Sequence, residues 1–299
     1  MSVIFIFVDG IGIGPEGDHN PLHTFAGELP ALQILAGGNL VTGTKSIITD
    51  TNVFKPVDAN LGVEGLPQSG TGQTALFTGV NASEFLGRHF GPFPHSKIKP
   101  FLRDSGLFKQ ASENGLSAWF MNAYPPIFFQ RLEKTGRWSS STYMVKENGG
   151  RLNGLEDLEA ERAITAEIFG DYWREKLGIK LPDLTGEDAA RRILSQVDEH
   201  DIVMYEYYLT DKAGHDQTNE FARETLVRLD ALLLPLVENL NGKTLVLCSD
   251  HGNIEDLSTK THTRNPVPLF AYGPQAKLFS EAESILDVSV NIIEAAKQG

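Results

Sequence analysis

Six side chains have the types and placing of a cation site. Asp9 closes the apolar run Val3–Val8, and Asp211 and His215 lie in D-K-A-G-H just after Ile202–Tyr208. Asp250 and His251 form a doublet in S-D-H-G after Thr244–Cys248, and His262 follows in T-H-T-R-N-P-V-P, ahead of the apolar run Val267–Tyr272. Carboxylate oxygens and imidazole nitrogens together suit Zn²⁺, Mn²⁺ or related ions. Each piece alone is commonplace, because a strand-end Asp often serves as a helix cap or turn residue. The conjunction carries the weight: carboxylates gathered at close range require either protons or cations.

A nucleophile is available between these groups. The segment 65–79 reads G-L-P-Q-S-G-T-G-Q-T-A-L-F-T-G. Pro67 and the paired glycines make a turn, and a helix is predicted over Thr71–Phe77 with Ser69 at or near its N-cap. Serine is a common cap. The same place also suits chemistry, because a helix N-terminus favours anions and a hydroxyl beside a bound cation loses its proton more readily. Such an oxygen could attack phosphorus while backbone amides receive the phosphoryl oxygens. Thr71 and Thr74 compete with Ser69 for this role.

The elements that must position these groups are short and apolar. Val3–Val8, Ala118–Met121, Ile202–Tyr208 and Thr244–Cys248 read as strands buried on both faces. Helical patterns lie between them at Pro100–Asn114, Thr185–Val197 and Asn219–Leu240. The alternation predicts an α/β fold, a mostly parallel sheet with helices on both faces. In such sheets functional groups gather at the carboxyl ends of the strands. Residues 1–299 read as one domain. Two stretches fit the alternation poorly, 83–98 and 124–182, and are expected to cover the sheet edge as a small cap.

Charge narrows the partners. Among 299 residues, 26 Lys and Arg face 39 Asp and Glu, a formal net charge of −13. That balance speaks against nucleic acid and against an anionic membrane surface. A small phosphorylated substrate remains open, since bound cations can reverse the charge of one pocket. No stretch approaches the ~18 apolar residues of a membrane span. The one cysteine, Cys248, sits in an apolar run and is expected to be buried and inert. A cytoplasmic protein is the expectation; oligomeric state leaves no pattern to read. Gly12–Gly17 matches the dinucleotide fingerprint G-x-G-x-x-G, but Pro15 and the following E-G-D-H-N-P do not open the helix that a pyrophosphate would need.

Taken in order, V-D-G at 8–10, S-G-T-G-Q at 69–73 with T-G at 78–79, D-K-A-G-H at 211–215, S-D-H-G-N around Asp250, and H-T-R-N-P-V-P at 262–268 form one set. The set resembles the alkaline phosphatase superfamily, particularly its branch of cofactor-independent phosphoglycerate mutase and phosphopentomutase. The resemblance implies one divalent ion held by Asp211, His215 and His262, and another held by Asp9, Asp250, His251 and the Ser69 oxygen, with Zn or Mn favoured over Mg. It also favours Ser69 as nucleophile, because its spacing to Gly72 and to the T-G at 78–79 matches the family position. The implied activity is that of a two-metal phosphohydrolase or phosphotransferase acting through a phosphoseryl intermediate. Arg264, Arg88, His89 and Lys212 are the candidate substrate contacts. The mutases of this family carry a large inserted domain, for which the interval between Gly79 and Asp211 leaves too little room. A phosphomutase with a reduced cap and a non-catalytic metal-binding protein are the alternatives. The C/S-x-P-x-R pattern of the sulfatases is missing from 65–79.

Overall fold

The computed structural model describes residues 2–298. Its centre is β1 (Val3–Val8), whose six side chains are all buried. Alternate residues point to opposite faces of a strand, and here both faces are covered. Ile4, Ile6 and Val8 pack into one core beneath the helices Pro30–Ala36, Gly186–Glu199 and Asn219–Glu238. Val3, Phe5 and Phe7 pack into a second, beneath Ser69–Thr78, Leu107–Glu113, Ser140–Glu147 and Leu286–Lys297. The predicted α/β class, with helices on both faces, is what the chain adopts.

The remaining strands are β2 (Ile47–Ile48), β3 (Asn52–Val57), β4 (Ala118–Phe120), β5 (Asn122–Ala123), β6 (Ile164–Thr165), β7 (Ile202–Tyr207), β8 (Thr244–Cys248) and β9 (Val267–Tyr272). Seven form one sheet in the order β2-β3-β9-β8-β1-β7-β4, while β5 and β6 make a separate pair. β8, β1, β7 and β4 run parallel, but β9, β3 and β2 add an antiparallel side. The sheet is thus mixed, and the direction of each strand matters for function. The carboxyl ends of β1, β7 and β8 share one edge. β9 runs the other way, so the loop that enters it, with His262, arrives at the same edge. β3 is reversed again, so the chain leaving it reaches Ser69 there as well.

Several local differences from the sequence reading have physical causes. β3 and β9 contain Pro56 and Pro268, directly opposite each other, and proline normally argues against an interior strand. Neither flanking strand reaches them: β2 pairs only with Val53 and Phe54, and β8 pairs with β9 only as far as Leu269. The helix expected over Pro100–Asn114 is two helices, Lys99–Ser105 and Leu107–Glu113, parted by extended Gly106. The G-x-G-x-x-G segment is not helical, in line with the reading that it opens no dinucleotide-binding helix. Gly12 instead donates its N–H to Glu255 Oε2 at 2.9 Å, and a Cβ on Gly12 would lie 2.3 Å from the Glu255 carboxylate. Cys248 is fully buried, and burial pushes its thiol well up, as expected of an inert side chain.

The two irregular stretches behave differently. Residues 83–98 begin in the short helix Ala82–Leu86 and then run without regular structure to Ile98. Within 124–182, the helices Pro126–Thr135, Leu155–Glu159 and Asp171–Leu177 stand beside the β5–β6 pair. Leu158 and Trp173 form a small core there with Ala123 and Ala163. Ser140–Glu147 is not cover, because its Met144 and Val145 are fully buried in the second core of the main sheet.

Asp230 shows how one buried acid ties the helical layer together. From the helix Asn219–Glu238 it accepts the Leu32 and Ala31 N–H groups, at 2.9 and 3.1 Å, at the start of the helix Pro30–Ala36. Burial outweighs those bonds and pushes its carboxyl up to about 6. The folded state therefore keeps a proton that the unfolded chain has already lost above about pH 4. This contribution to stability is full below pH 4 and is lost as pH rises to 6, on the order of 3 kcal/mol in all. Asp230→Asn lacks the titration. The melting temperature of wild type relative to this variant should fall between pH 4 and 6 and level off above; a flat difference would contradict the assignment.

Candidate metal centre and active site

The three acids reach one place because three neighbouring strands end there. Asp9 is the residue after β1. Asp211 and His215 are four apart in the helix Leu209–Asp216, which puts both on one helical face. Asp250 and His251 follow β8 after Ser249, whose Oγ accepts the Ile11 N–H at 3.0 Å and donates to the His251 carbonyl at 2.9 Å. Two groups of ligand types result. Asp211, His215 and His262 each offer an atom within 4.8 Å of the others, and so do Asp9, Asp250 and His251.

In the first group the imidazole protons are fixed by carbonyl oxygens. His215 Nδ1 lies 2.7 Å from the Lys260 carbonyl, and His262 Nδ1 lies 2.7 Å from the Pro67 carbonyl. A carbonyl only accepts, so Nδ1 carries the proton and Nε2 presents a lone pair. The two Nε2 atoms stand 3.2 Å apart. Asp211 faces both, with Oδ1 3.3 Å from His262 and Oδ2 3.4 Å from His215. Two lone pairs and a carboxylate turned inward call for a positive charge between them. The Asp211 carboxyl shows the same demand. Burial raises it, yet positive charge at the neighbouring imidazoles of His262 and His251, together with the Asn253 amide, holds it at about 2.

The second group is buried more deeply. Asp250 and His251 are fully buried, and neither Asp250 carboxylate oxygen has a hydrogen-bond partner. Burial, then the charges of Asp9 and Asp211, push the Asp250 carboxyl well above the usual range. His251 Nε2 lies 3.0 Å from Ser69 Oγ, 3.2 Å from Asp9 Oδ1 and 3.5 Å from Asp250 Oδ2. Buried carboxylates are normally paired or fully hydrogen-bonded. Asp250 is neither, Asp9 Oδ1 lacks a hydrogen bond as well, and a divalent cation fits both donor sets.

Ser69 is the first residue of the helix Ser69–Thr78, after extended Gln68 at the N-cap. It does not cap that helix; its hydroxyl is turned to His251. The rival hydroxyls are engaged elsewhere. Thr71 Oγ1 donates to the Gln68 carbonyl at 3.1 Å and accepts the Phe90 N–H at 3.1 Å, and Thr74 Oγ1 donates to the Gly70 carbonyl at 2.7 Å. Gly72 lets this helix approach the metal loop, since a Cβ there would lie 2.8 Å from the Asp250 carbonyl oxygen.

Asp9, Ser69, Gln73 and Asp211 form the floor of a cavity of about 740 Å³. Both irregular stretches contribute walls, including Phe93 from the first and Tyr124, Phe128 and Tyr172 from the second. Of the four candidate substrate contacts, Lys212 lines this cavity. Arg88 and His89 line a separate depression with Gly65 and Gln68. His89 is engaged there by Ser83 Oγ at 3.1 Å and the Val63 carbonyl at 3.2 Å, and burial lowers its imidazole. Arg264 donates Nε to the Gly65 carbonyl at 2.8 Å and lines neither space.

A profile of the metalloenzyme superfamily matches residues 177–297. The 2,3-bisphosphoglycerate-independent phosphoglycerate mutase of Thermoplasma volcanium is 24% identical over 221 residues, 64% of this chain and 53% of that protein. The alkaline phosphatase of the Antarctic bacterium TAB5 matches 100% of this chain and 98% of its own, with a TM-score of 0.57 at 12% identity. Leishmania mexicana phosphoglycerate mutase matches 99% of this chain and 95% of its own, with a TM-score of 0.52 at 13% identity. The chain thus shares the fold of these alkaline phosphatase and phosphoglycerate mutase structures, and its residues 177–297 match the metalloenzyme superfamily. It spans about half the length of the Thermoplasma relative, and less of the Pyrobaculum neutrophilum one.

The structure adds further residues around the candidate site that the sequence did not single out. Glu255 is buried and holds three loops at once, accepting from Gly12 and Asn253 backbone N–H groups at 2.9 and 2.7 Å, from Asn265 Nδ2 at 3.0 Å, and from the Thr263 hydroxyl. Gln73 Nε2 donates to Asp9 Oδ2 at 3.2 Å. Glu206 lines the cavity, hydrogen-bonded by Ser141 Oγ, and burial pushes its carboxyl up to about 7. An acid interrupting the apolar run Ile202–Tyr208 was the signal for Glu206. Glu255 gave none, because one partner, the Gly12 amide, is far away in sequence and the others are ordinary backbone, hydroxyl and amide groups nearby.

A direct test of the metal demand uses Asp250→Asn. Removing one of the crowded carboxylates should raise the melting temperature of metal-free protein by a few degrees. The same change should abolish most of the stabilisation that Zn²⁺ or Mn²⁺ gives to wild type. Metal-dependent stabilisation equal to wild type in Asp250→Asn would remove Asp250 from the ligand set.

Proposed function

We propose that this protein transfers the phosphoryl group of a small phosphate ester through a phosphoseryl intermediate on Ser69. The observation that supports this best is the Ser69 hydroxyl, 3.0 Å from His251 Nε2 at a helix N-terminus, on the floor of a cavity flanked by two ligand sets. Two divalent cations, one held by Asp211, His215 and His262 and one by Asp9, Asp250, His251 and the Ser69 oxygen, would supply Lewis acidity that lowers the hydroxyl pKa and neutralises phosphoryl charge. Mixed imidazole and carboxylate donors favour Zn²⁺ or Mn²⁺ over Mg²⁺.

The chain's own part in the reaction follows from placement. Ser69 Oγ forms a bond to phosphorus as the ester oxygen leaves. Of the first N–H groups of the helix Ser69–Thr78, that of Thr71 is taken by the Phe90 carbonyl at 2.8 Å, which leaves those of Ser69 and Gly70 to receive phosphoryl oxygens. Gln73 and Thr210 hold Asp9 in place through its carboxylate and its carbonyl. Water then takes the phosphoryl group from Ser69 in a phosphohydrolase, or another hydroxyl takes it in a phosphotransferase. Mutase chemistry with a reduced cap is the second reading, favoured by the Thermoplasma volcanium relative. The acidic balance and the single buried Cys248 are consistent with a small-molecule substrate and a cytoplasmic setting. No helix among the described residues is long and apolar enough to cross a membrane.

Ser69→Ala should lower phosphate-ester turnover by roughly 10³-fold or more, while elemental analysis finds the metal content unchanged. Acid-quenched wild type incubated with ³²P-labelled ester should carry label on Ser69. Undiminished turnover in the variant would remove Ser69 as nucleophile. Isomerised ester in place of free phosphate would favour the mutase reading.

A further inference from the structure

We propose that the walls above Ser69 select a phosphate ester whose alcohol carries a flat, uncharged ring. The proposal rests on the phosphoryl-transfer reading and assigns its substrate class. Apolar exposure is the first observation. Eight large hydrophobic side chains are exposed among the described residues, and four of them, Phe93, Ile127, Tyr172 and Tyr208, line this one cavity. Their exposures of 39, 43, 54 and 41% leave enough surface uncovered to bury a ligand group. Apolar surface gathered at a concave site marks binding, whereas scattered surface apolar groups need no explanation.

Shape is the second observation. Tyr124 and Phe128, both in the cavity wall, are stacked with ring centroids 4.1 Å apart and planes at 22°. A stacked aromatic pair beside an open space offers a further ring a face or an edge to pack against.

Charge is the third. Beyond the metal ligands, the wall has three cations, Arg131, Lys212 and Arg228, and three acids, Glu167, Glu206 and Glu224. Arg228 is already engaged, donating to Asp171 Oδ2 at 2.6 Å and to the Glu167 carbonyl at 3.2 Å. Lys212 lies 5.9 Å from the Phe221 ring centre. Cations and acids are thus equal in number along the wall, which has no surplus of positive groups for a second anionic group. A phosphorylated hydroxy acid or a bisphosphate would place a carboxylate or phosphate against Glu167 and Glu224 without compensation. An aromatic alcohol meets none of that cost and covers the exposed rings.

The test compares esters whose alcohols have similar acidity, so that leaving-group reactivity is matched. Metal-loaded protein is assayed with 2-phenylethyl phosphate, ethyl phosphate and 3-phosphoglycerate. We expect kcat/KM for the phenylethyl ester to exceed that for the ethyl ester by on the order of 30-fold, the effect of burying one ring, with 3-phosphoglycerate the poorest. Tyr172→Ala, at an exposed position, and Phe128→Ala should each shrink that ratio several-fold. Equal turnover of the two alkyl esters, or a preference for 3-phosphoglycerate, would overturn the proposal and leave phosphoryl transfer standing. Turnover of no ester would instead count against phosphoryl transfer. The ring site is then decided by calorimetric titration with 2-phenylethylphosphonate: binding weakened by Tyr172→Ala supports it, and no binding overturns it.

Discussion

Asp9, Asp211 and Asp250 stand beyond the ends of three strands that are neighbours in one parallel array, so the fold cannot keep their charges apart. Asp250 has no hydrogen-bond partner on either carboxylate oxygen and is wholly out of water. Two imidazoles are turned by backbone carbonyls so that their lone pairs face each other and Asp211. Each of these choices costs stability in the metal-free chain, and all are relieved by the same thing, positive charge placed between the donors. The architecture follows from that need. Buried parallel strands give the acids a rigid base, and the reversed β9 delivers His262 to the edge where β8 delivers Asp250 and His251.

Rigidity at such a site has to come from outside the ligands themselves. Glu255 supplies much of it. Its two oxygens join the loop after β1, the loop after β8 and the approach to β9, which bear or adjoin Asp9, His251 and His262. Asn253 does the same for Asp211, donating Nδ2 to its Oδ1 at 2.7 Å and to its carbonyl at 3.1 Å. The glycines at 12 and 72 are part of this arrangement, since a side chain at either would push Glu255 or the Asp250 backbone out of place. In the G-x-G-x-x-G stretch the first two glycines, Gly12 and Gly14, make room for a buried carboxylate.

What the sequence made legible was whatever depends on local pattern. Apolar runs ending in acids identified β1, β7 and β8, and the helix Gly186–Glu199, with Thr185 as its N-cap, lies where the Thr185–Val197 pattern placed it. The antiparallel side was harder to read, because Pro56 and Pro268 argue against strands unless one knows that neighbouring strands stop short of them. Gly106 splits a helix whose apolar spacing looked continuous. Arg88, His89 and Arg264 looked like substrate contacts from proximity in sequence to motif residues. In space they turn to a separate depression or to the Gly65 carbonyl, while the long excursion after Tyr124 supplies the walls. Chain order said little about which side of Ser69 each loop would occupy.

Those walls bear on which molecule would receive the phosphoryl group in the proposed reaction. For an intramolecular return of phosphate, the alcohol must stay in the pocket and turn so that a second hydroxyl reaches phosphorus. Polar anchors that can be exchanged during such a turn are the natural means of holding it. The walls here hold by apolar area, through Phe93, Ile127, Phe128 and Tyr172, and their few cations are balanced by acids. Apolar area gives retention without direction. An alcohol so held keeps one pose or departs, so in the reaction proposed above water is the acceptor that such a cavity would serve.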